Sequence, residues 1–132
     1  MKQKTILVID DDPDIVEAIK FILKGKGYKV ESAENGTKGM EMVEKISPDL
    51  IILDVMMDEL REGFFVSRRL KQKDSKYRDI PIIMLTSVKE KTGLDFKSAA
   101  GDENWLPVND YIDKPVEPEV LLEKIGKFLK ES

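Results

Sequence analysis

The sequence predicts an open, doubly wound α/β sheet of five parallel strands, with helices on both faces, formed by one domain. Three observations predict it. Five short apolar runs alternate with helix-like stretches. Three of those runs are almost continuously apolar, as strands covered on both faces are. The polar residues that could carry chemistry stand at the ends of the runs.

The runs are Thr5–Ile9, Tyr28–Ala33, Leu50–Leu53, Ile80–Leu85 and Asp110–Ile112. Between the first two, Ile15, Val16, Ile19, Ile22 and Leu23 recur at helical spacing. Asp12-Pro13 opens that helix as a cap followed by a first-turn proline, and Gly25 or Gly27 ends it. Met40, Val43 and Ile46 mark a second helix, stopped by Ser47-Pro48, and Phe65, Val66 and Leu70 a third that starts after Gly63. From Val88 to Gly101 no clean period holds, and Gly93 interrupts it. Leu121, Ile125, Phe128 and Leu129 form the clearest stripe, after Pro118. Strand–helix alternation of this kind implies right-handed crossovers.

Composition narrows the chemistry. A chain of 132 residues, 41% hydrophobic and 36% charged, is large enough for one globular core without staples. It has neither cysteine nor histidine. Disulfides, thiol catalysis, phosphohistidine and the commonest zinc ligands are excluded, and a reducing cytoplasm is the expected location. Carboxylates, hydroxyls and lysines must do the work. The apolar run Ile6–Ile9 meets three aspartates, too early for a signal peptide, and no stretch approaches a membrane span. A net charge of -4 with scattered lysines offers no general attraction to nucleic acid.

In an open α/β sheet, ligands bind outside the carboxyl ends of the strands, where strand order reverses. Asp10 and Asp11 follow the first run, Asp54 ends the third, Thr86 and Ser87 end the fourth, and Lys114 follows the fifth. With the first and third strands as neighbours, three carboxylates share one crevice. Two carboxylates about 4 Å apart repel by roughly 4 kcal/mol at an effective dielectric near 20. Such a cluster calls for a cation, and all-oxygen ligation points to Mg²⁺. Any one of these aspartates alone would read as a helix cap, Thr86 as a strand residue and Lys114 as a solvated lysine. Their combination is what argues for a site.

Four segments carry a family resemblance: Ile6-Leu7-Val8-Ile9-Asp10-Asp11-Asp12, Pro48-Asp49-Leu50-Ile51-Ile52-Leu53-Asp54-Val55-Met56-Met57, Pro81-Ile82-Ile83-Met84-Leu85-Thr86-Ser87 and Tyr111-Ile112-Asp113-Lys114-Pro115. In order along nearly the whole chain, they resemble the receiver domains of two-component response regulators. The resemblance implies a flavodoxin-like strand order 2-1-3-4-5 over a single domain, residues 1–132, of stand-alone type. It implies that Asp54 takes a phosphoryl group from a phosphohistidine on a sensor histidine kinase or phosphotransfer protein, and that the chain then signals to a downstream protein without binding nucleic acid or membrane. Asp11 would ligate Mg²⁺ directly and Asp10 directly or through water, with Asp54 and the Met56 backbone carbonyl completing the protein ligands. Lys114 and Thr86 would each contact a phosphoryl oxygen. Lys114-Pro115 would be a cis peptide, and Thr86 and Tyr111 a switch pair. The chain would be no enzyme beyond its own phosphorylation and dephosphorylation.

The sequence departs from that pattern in two places. Asp58 stands where the family usually has proline, and Gly63 comes one residue late, which reads as a looser, more acidic loop, with Asp58 and Glu59 as solvated loop charge in preference to a place near the cation. The segment of about residues 87–109 is extended and holds the lone tryptophan, Trp105, with Leu106 and Pro107 beside it, as filler or as a partner-binding patch. Met56 and Val88 stand two residues after Asp54 and Thr86. Neither side chain can hold a water in line with the aspartyl phosphate, so a long-lived phosphate is expected. Two rivals remain. In a haloacid-dehalogenase-type phosphohydrolase, Asp10-x-Asp12 would be the nucleophile motif, but Asp14 and the lack of an acidic pair after Lys114 fit it poorly. The other is a degenerate receiver that is never phosphorylated.

Overall fold

The computed structural model describes residues 3–54, 66–86 and 108–129. The elements are β1 (Thr5–Ile9), α1 (Pro13–Lys24), β2 (Lys29–Ala33), α2 (Gly36–Ile46), β3 (Leu50–Asp54), β4 (Ile82–Thr86), β5 (Asp110–Asp113) and α3 (Pro118–Leu129). Residues 66–70 are helical, between β3 and β4. All strand pairs are parallel, in the order β2-β1-β3-β4-β5. Both the five-stranded sheet and the order expected from the resemblance are present.

Strand alternation divides the core into two halves. On one face Leu7, Ile9, Ile51, Leu53, Ile82 and Met84 pack with Val43 of α2 and with Val66 and Leu70. On the other, Ile6, Val8, Leu50, Ile52, Ile83 and Leu85 pack with Val16, Ile19 and Leu23 of α1 and with Leu121 and Ile125 of α3. Each strand of β1, β3 and β4 thus feeds both halves, which is why its run is continuously apolar instead of alternating.

The helix ends follow from local chemistry. Asp12 caps α1 by accepting a hydrogen bond from the Asp14 amide at 2.9 Å, with Pro13 in the first turn. Gly25 is the C-cap, and the reversal into β2 needs Gly27 at φ 86. Asn35 caps α2 by accepting from the Lys38 amide at 2.8 Å, and Ser47 ends it in the left-handed region. Gly39 lets α2 lie directly on β1, because a Cβ there would stand 2.5 Å from Ile9 Cδ1.

Several strand boundaries shift by one or two residues from the sequence expectation, β2 starting at Lys29, β4 ending at Thr86 and β5 at Asp113. β4 begins at Ile82, not Ile80, because Pro81 has no N–H to give the ladder and offers only its carbonyl, to the Ile51 amide at 2.9 Å. The segment before it is clipped by Lys71, whose Nζ donates to the carbonyls of Arg78 at 2.9 Å and Ile80 at 2.8 Å. Burial holds the Lys71 pKa below the ordinary lysine value. β3 runs one residue further than expected, so that Asp54 is itself in the strand and pairs with Leu85. The start of the third helix after Gly63 lies outside the described residues.

Candidate phosphoacceptor and metal site

β1 and β3 are the central neighbours, in register Ile9↔Leu53, so their next residues, Asp10 and Asp54, emerge side by side. Chain continuation from β1 is fixed by the Asp10 amide, which donates to the Ala33 carbonyl at 3.0 Å. Asp10 is 2% exposed and Asp54 1%, while Asp11 is exposed. One carboxylate oxygen from each of the three lies within 4.8 Å of the others, a geometry compatible with a divalent metal.

The fourth charge comes from the β5 side. The Lys114 amide donates to the Thr86 carbonyl at 2.7 Å, tying the residue after β5 to the end of β4, and the Lys114-Pro115 peptide is cis. From there the Lys114 ammonium reaches 3.4 Å from Asp54 Oδ1 and 3.8 Å from Asp10 Oδ2. Thr86 is 3% exposed at the end of β4. The structure therefore gathers Asp10, Asp11, Asp54, Thr86 and Lys114 at the carboxyl edge of the sheet. Met56 lies outside the described residues, as do Asp58, Glu59, Val88 and the Trp105–Pro107 segment.

The two oxygens of Asp10 differ. Oδ1 accepts from the Asp12 amide at 2.9 Å. Oδ2 is buried and, among the described residues, has no hydrogen-bond partner. Burial raises the Asp10 pKa to about 7; the Asp12 amide opposes this, the Asp54 carboxylate adds to it, and Lys114 only partly offsets it. A buried carboxylate oxygen without a hydrogen bond costs free energy. One hard cation contacting Asp10, Asp11 and Asp54 would satisfy that oxygen and cancel the repulsion, and the all-oxygen donor set suits such an ion.

A family model described as the response regulator receiver domain matches residues 6–126. The chain belongs to the response regulator receiver family. This receiver is 35% identical over 125 residues to the DNA-binding dual master transcriptional regulator RpaA of Synechocystis sp., covering 95% of this chain and 48% of that protein. It is 32% identical to Protein PilH of Pseudomonas aeruginosa, covering 94% of this chain and 96% of that one. Among solved structures, the receiver resembles the Vibrio cholerae chemotaxis protein CheY4 with a TM-score of 0.80 and 27% identity, over 96% of this chain and 99% of the other. The chain spans about half the length of most of the curated relatives it matches.

Lys124 of the receiver is not legible in the sequence as part of this region. Its Nζ donates to Asp110 Oδ1 at 3.0 Å and to the Tyr111 carbonyl at 2.7 Å, and stands 5.2 Å from the centroid of the Tyr111 ring. Tyr111 is half-buried and pairs with Met84, two residues before Thr86, so Thr86 and Tyr111 share a face of the sheet. The spacing of a lysine on α3 against β5 signals nothing until the two elements are docked. Among the described residues, no helix is long and apolar enough to cross a membrane.

Proposed function

We propose that this receiver takes a phosphoryl group onto Asp54 from a phosphohistidine of a sensor histidine kinase or phosphotransfer protein in the cytoplasm, and signals by changing the surface it offers a partner protein. The observation that carries the reading is the buried Asp54 carboxylate, 3.4 Å from the Lys114 ammonium and in one cluster with Asp10, whose Oδ2 has no hydrogen-bond partner among the described residues.

An Asp54 carboxylate oxygen attacks phosphorus, the P–N bond breaks, and the imidazole leaves with the electron pair. Mg²⁺, held by Asp10, Asp11, Asp54 and the Met56 carbonyl, would supply neutralising charge to the phosphoryl oxygens. Lys114 provides a point charge for a phosphoryl oxygen, and the Thr86 hydroxyl donates to another. Because Lys114 is fixed through its own amide to Thr86, both groups are preorganised by one strand end. A groove of ≈ 500 Å³ lined by Ile15, Ala18, Pro115 and Val116 opens beside Lys114, and suits the side of a donor helix. Movement of Thr86 toward the phosphoryl group vacates space for the Tyr111 ring, the switch by which the output face changes. Residues 1–132 act as one receiver domain.

The test is binding of beryllofluoride, an acyl-phosphate mimic. With Mg²⁺ it should saturate the protein and shift the NMR signals of Thr86, Tyr111 and Lys114, and neither Mg²⁺-free protein nor Asp54→Ala should respond. An equal response from Asp54→Ala would place the anion elsewhere and overturn the reading.

A further inference from the structure

Tyr111 and Lys124 meet across the edge of the sheet. β5 is the last strand in the order, and the Tyr111 side chain packs against the core half that holds Leu53, Val66 and Met84. Lys124 belongs to α3, whose Leu121 and Ile125 pack into the opposite half. A side chain from one face of a sheet reaches a ring on the other only where both lie at its rim. There the half-buried Lys124 ammonium stands 5.2 Å from the centroid of the Tyr111 ring. It is held by Asp110 Oδ1 at 3.0 Å and by the Tyr111 carbonyl at 2.7 Å. Tyr111 and Lys124 together line a cavity of ≈ 300 Å³ that continues to Lys114 and Pro115.

Two of these three contacts fix the ammonium, and the third fixes the ring. One acceptor is the backbone of Tyr111 and the other is the residue before it, so the ammonium keeps its place whichever way the ring turns. An ammonium over an aromatic face attracts it, which favours the ring at the rim. A ring that turns inward, into the space beside Thr86, leaves the ammonium and loses that attraction.

We infer that Lys124 is a positioning residue of the switch: it holds the Tyr111 ring at the rim of β5, opposes the inward turn, and so makes the phosphoryl-bearing state harder to reach. The inference rests on the reading of Thr86 and Tyr111 as a switch pair. Only a contact that differs between the two ring positions can shift their balance, and of the three that Lys124 makes, the ring contact is the one that differs. Lys124 acts through the ring, not on the phosphoryl group.

Beryllofluoride titrations of the full chain with Mg²⁺, followed by the NMR signals of the Thr86 amide and the Tyr111 ring, test it. Lys124→Met keeps most of the length of the side chain and removes its charge. It should bind beryllofluoride about two- to five-fold more tightly than wild type, the factor that an exposed contact of this kind is worth. Its Tyr111 ring signals should stand nearer the bound position before beryllofluoride is added. Removing a surface cation would by itself weaken binding of an anion, so tighter binding has to come through the ring. In a Tyr111→Leu background, with no ring to hold, Lys124→Met should not tighten binding. A lysine that only stapled α3 to β5 would act alike in both backgrounds. Unchanged or weaker binding by Lys124→Met, or equal tightening with and without the ring, overturns the inference and leaves the phosphoacceptor reading intact. A wild type that binds no beryllofluoride overturns that reading and this inference with it.

Discussion

Replacing Lys114 with alanine is expected to slow phosphorylation of the receiver by a small-molecule phosphodonor by about 10²–10³-fold at saturating Mg²⁺, the usual cost of removing one preorganised electrostatic contact. The expectation rests on where the ammonium stands. At 3.4 Å from Asp54 and 3.8 Å from Asp10, it is the cation that the described residues place between the two buried carboxylates. Without it, both carboxylates lose a favourable charge, and a divalent ion has more repulsion to relieve. Mg²⁺ should therefore bind Lys114→Ala at least as tightly as it binds wild type, while transfer is slow. A lysine that only filled space would show no such split. Phosphorylation time courses paired with Mg²⁺ titrations check it, and unchanged transfer together with weakened Mg²⁺ binding would contradict it.

Asp10→Asn should make the metal-free protein more stable at about pH 8, although it removes a group from the centre of the site. The Asp10 pKa stands at about 7 in the folded chain, raised from 3.8 chiefly by burial. Between those values the folded state holds a proton that the unfolded state has released, so this group's contribution makes stability fall as pH rises. Above about pH 7 the whole penalty is present, an upper bound of about 4 kcal/mol for a shift of that size. Asparagine keeps an oxygen for the Asp12 amide and carries no charge at any pH, so about 1–3 kcal/mol should be recovered. Thermal melts with a chelator should show wild type losing stability from about pH 4 to about pH 7 and Asp10→Asn losing less. Adding Mg²⁺ should raise the wild-type melting temperature at about pH 8 and have little effect on the variant. A variant less stable than wild type at about pH 8 without metal would contradict the assignment of strain to Asp10.

Burial also explains why the central strands are legible in the sequence. Ile6–Ile9, Leu50–Leu53 and Ile82–Leu85 face helices on both sides, so their sequences are apolar without alternation and mark those strands plainly. The edge strand β2 has exposed and half-buried positions, and only its place between two helix signals reveals it. The site is legible because an open sheet gathers the residues at and just past its strand ends, and Asp10, Asp54, Thr86 and Lys114 are those residues. What the sequence does not carry is the difference between equivalent atoms. Nothing in Asp10-Asp11-Asp12 says that Asp10 is buried with an oxygen unsatisfied, that Asp11 faces solvent, or that Asp12 caps α1. Contacts between elements distant in the chain are equally silent, Lys124 against Tyr111 above all.

The most direct measurement of the central claim is intact mass after incubation with a small phosphodonor and Mg²⁺, for wild type and for Asp54→Asn. Wild type should gain the mass of one phosphoryl group, lose it on treatment with hydroxylamine as an acyl phosphate does, and gain nothing when Mg²⁺ is chelated. Asp54→Asn, which keeps the shape of the side chain and removes the nucleophile, should gain nothing under any of these conditions. Undiminished labelling of Asp54→Asn would contradict the account.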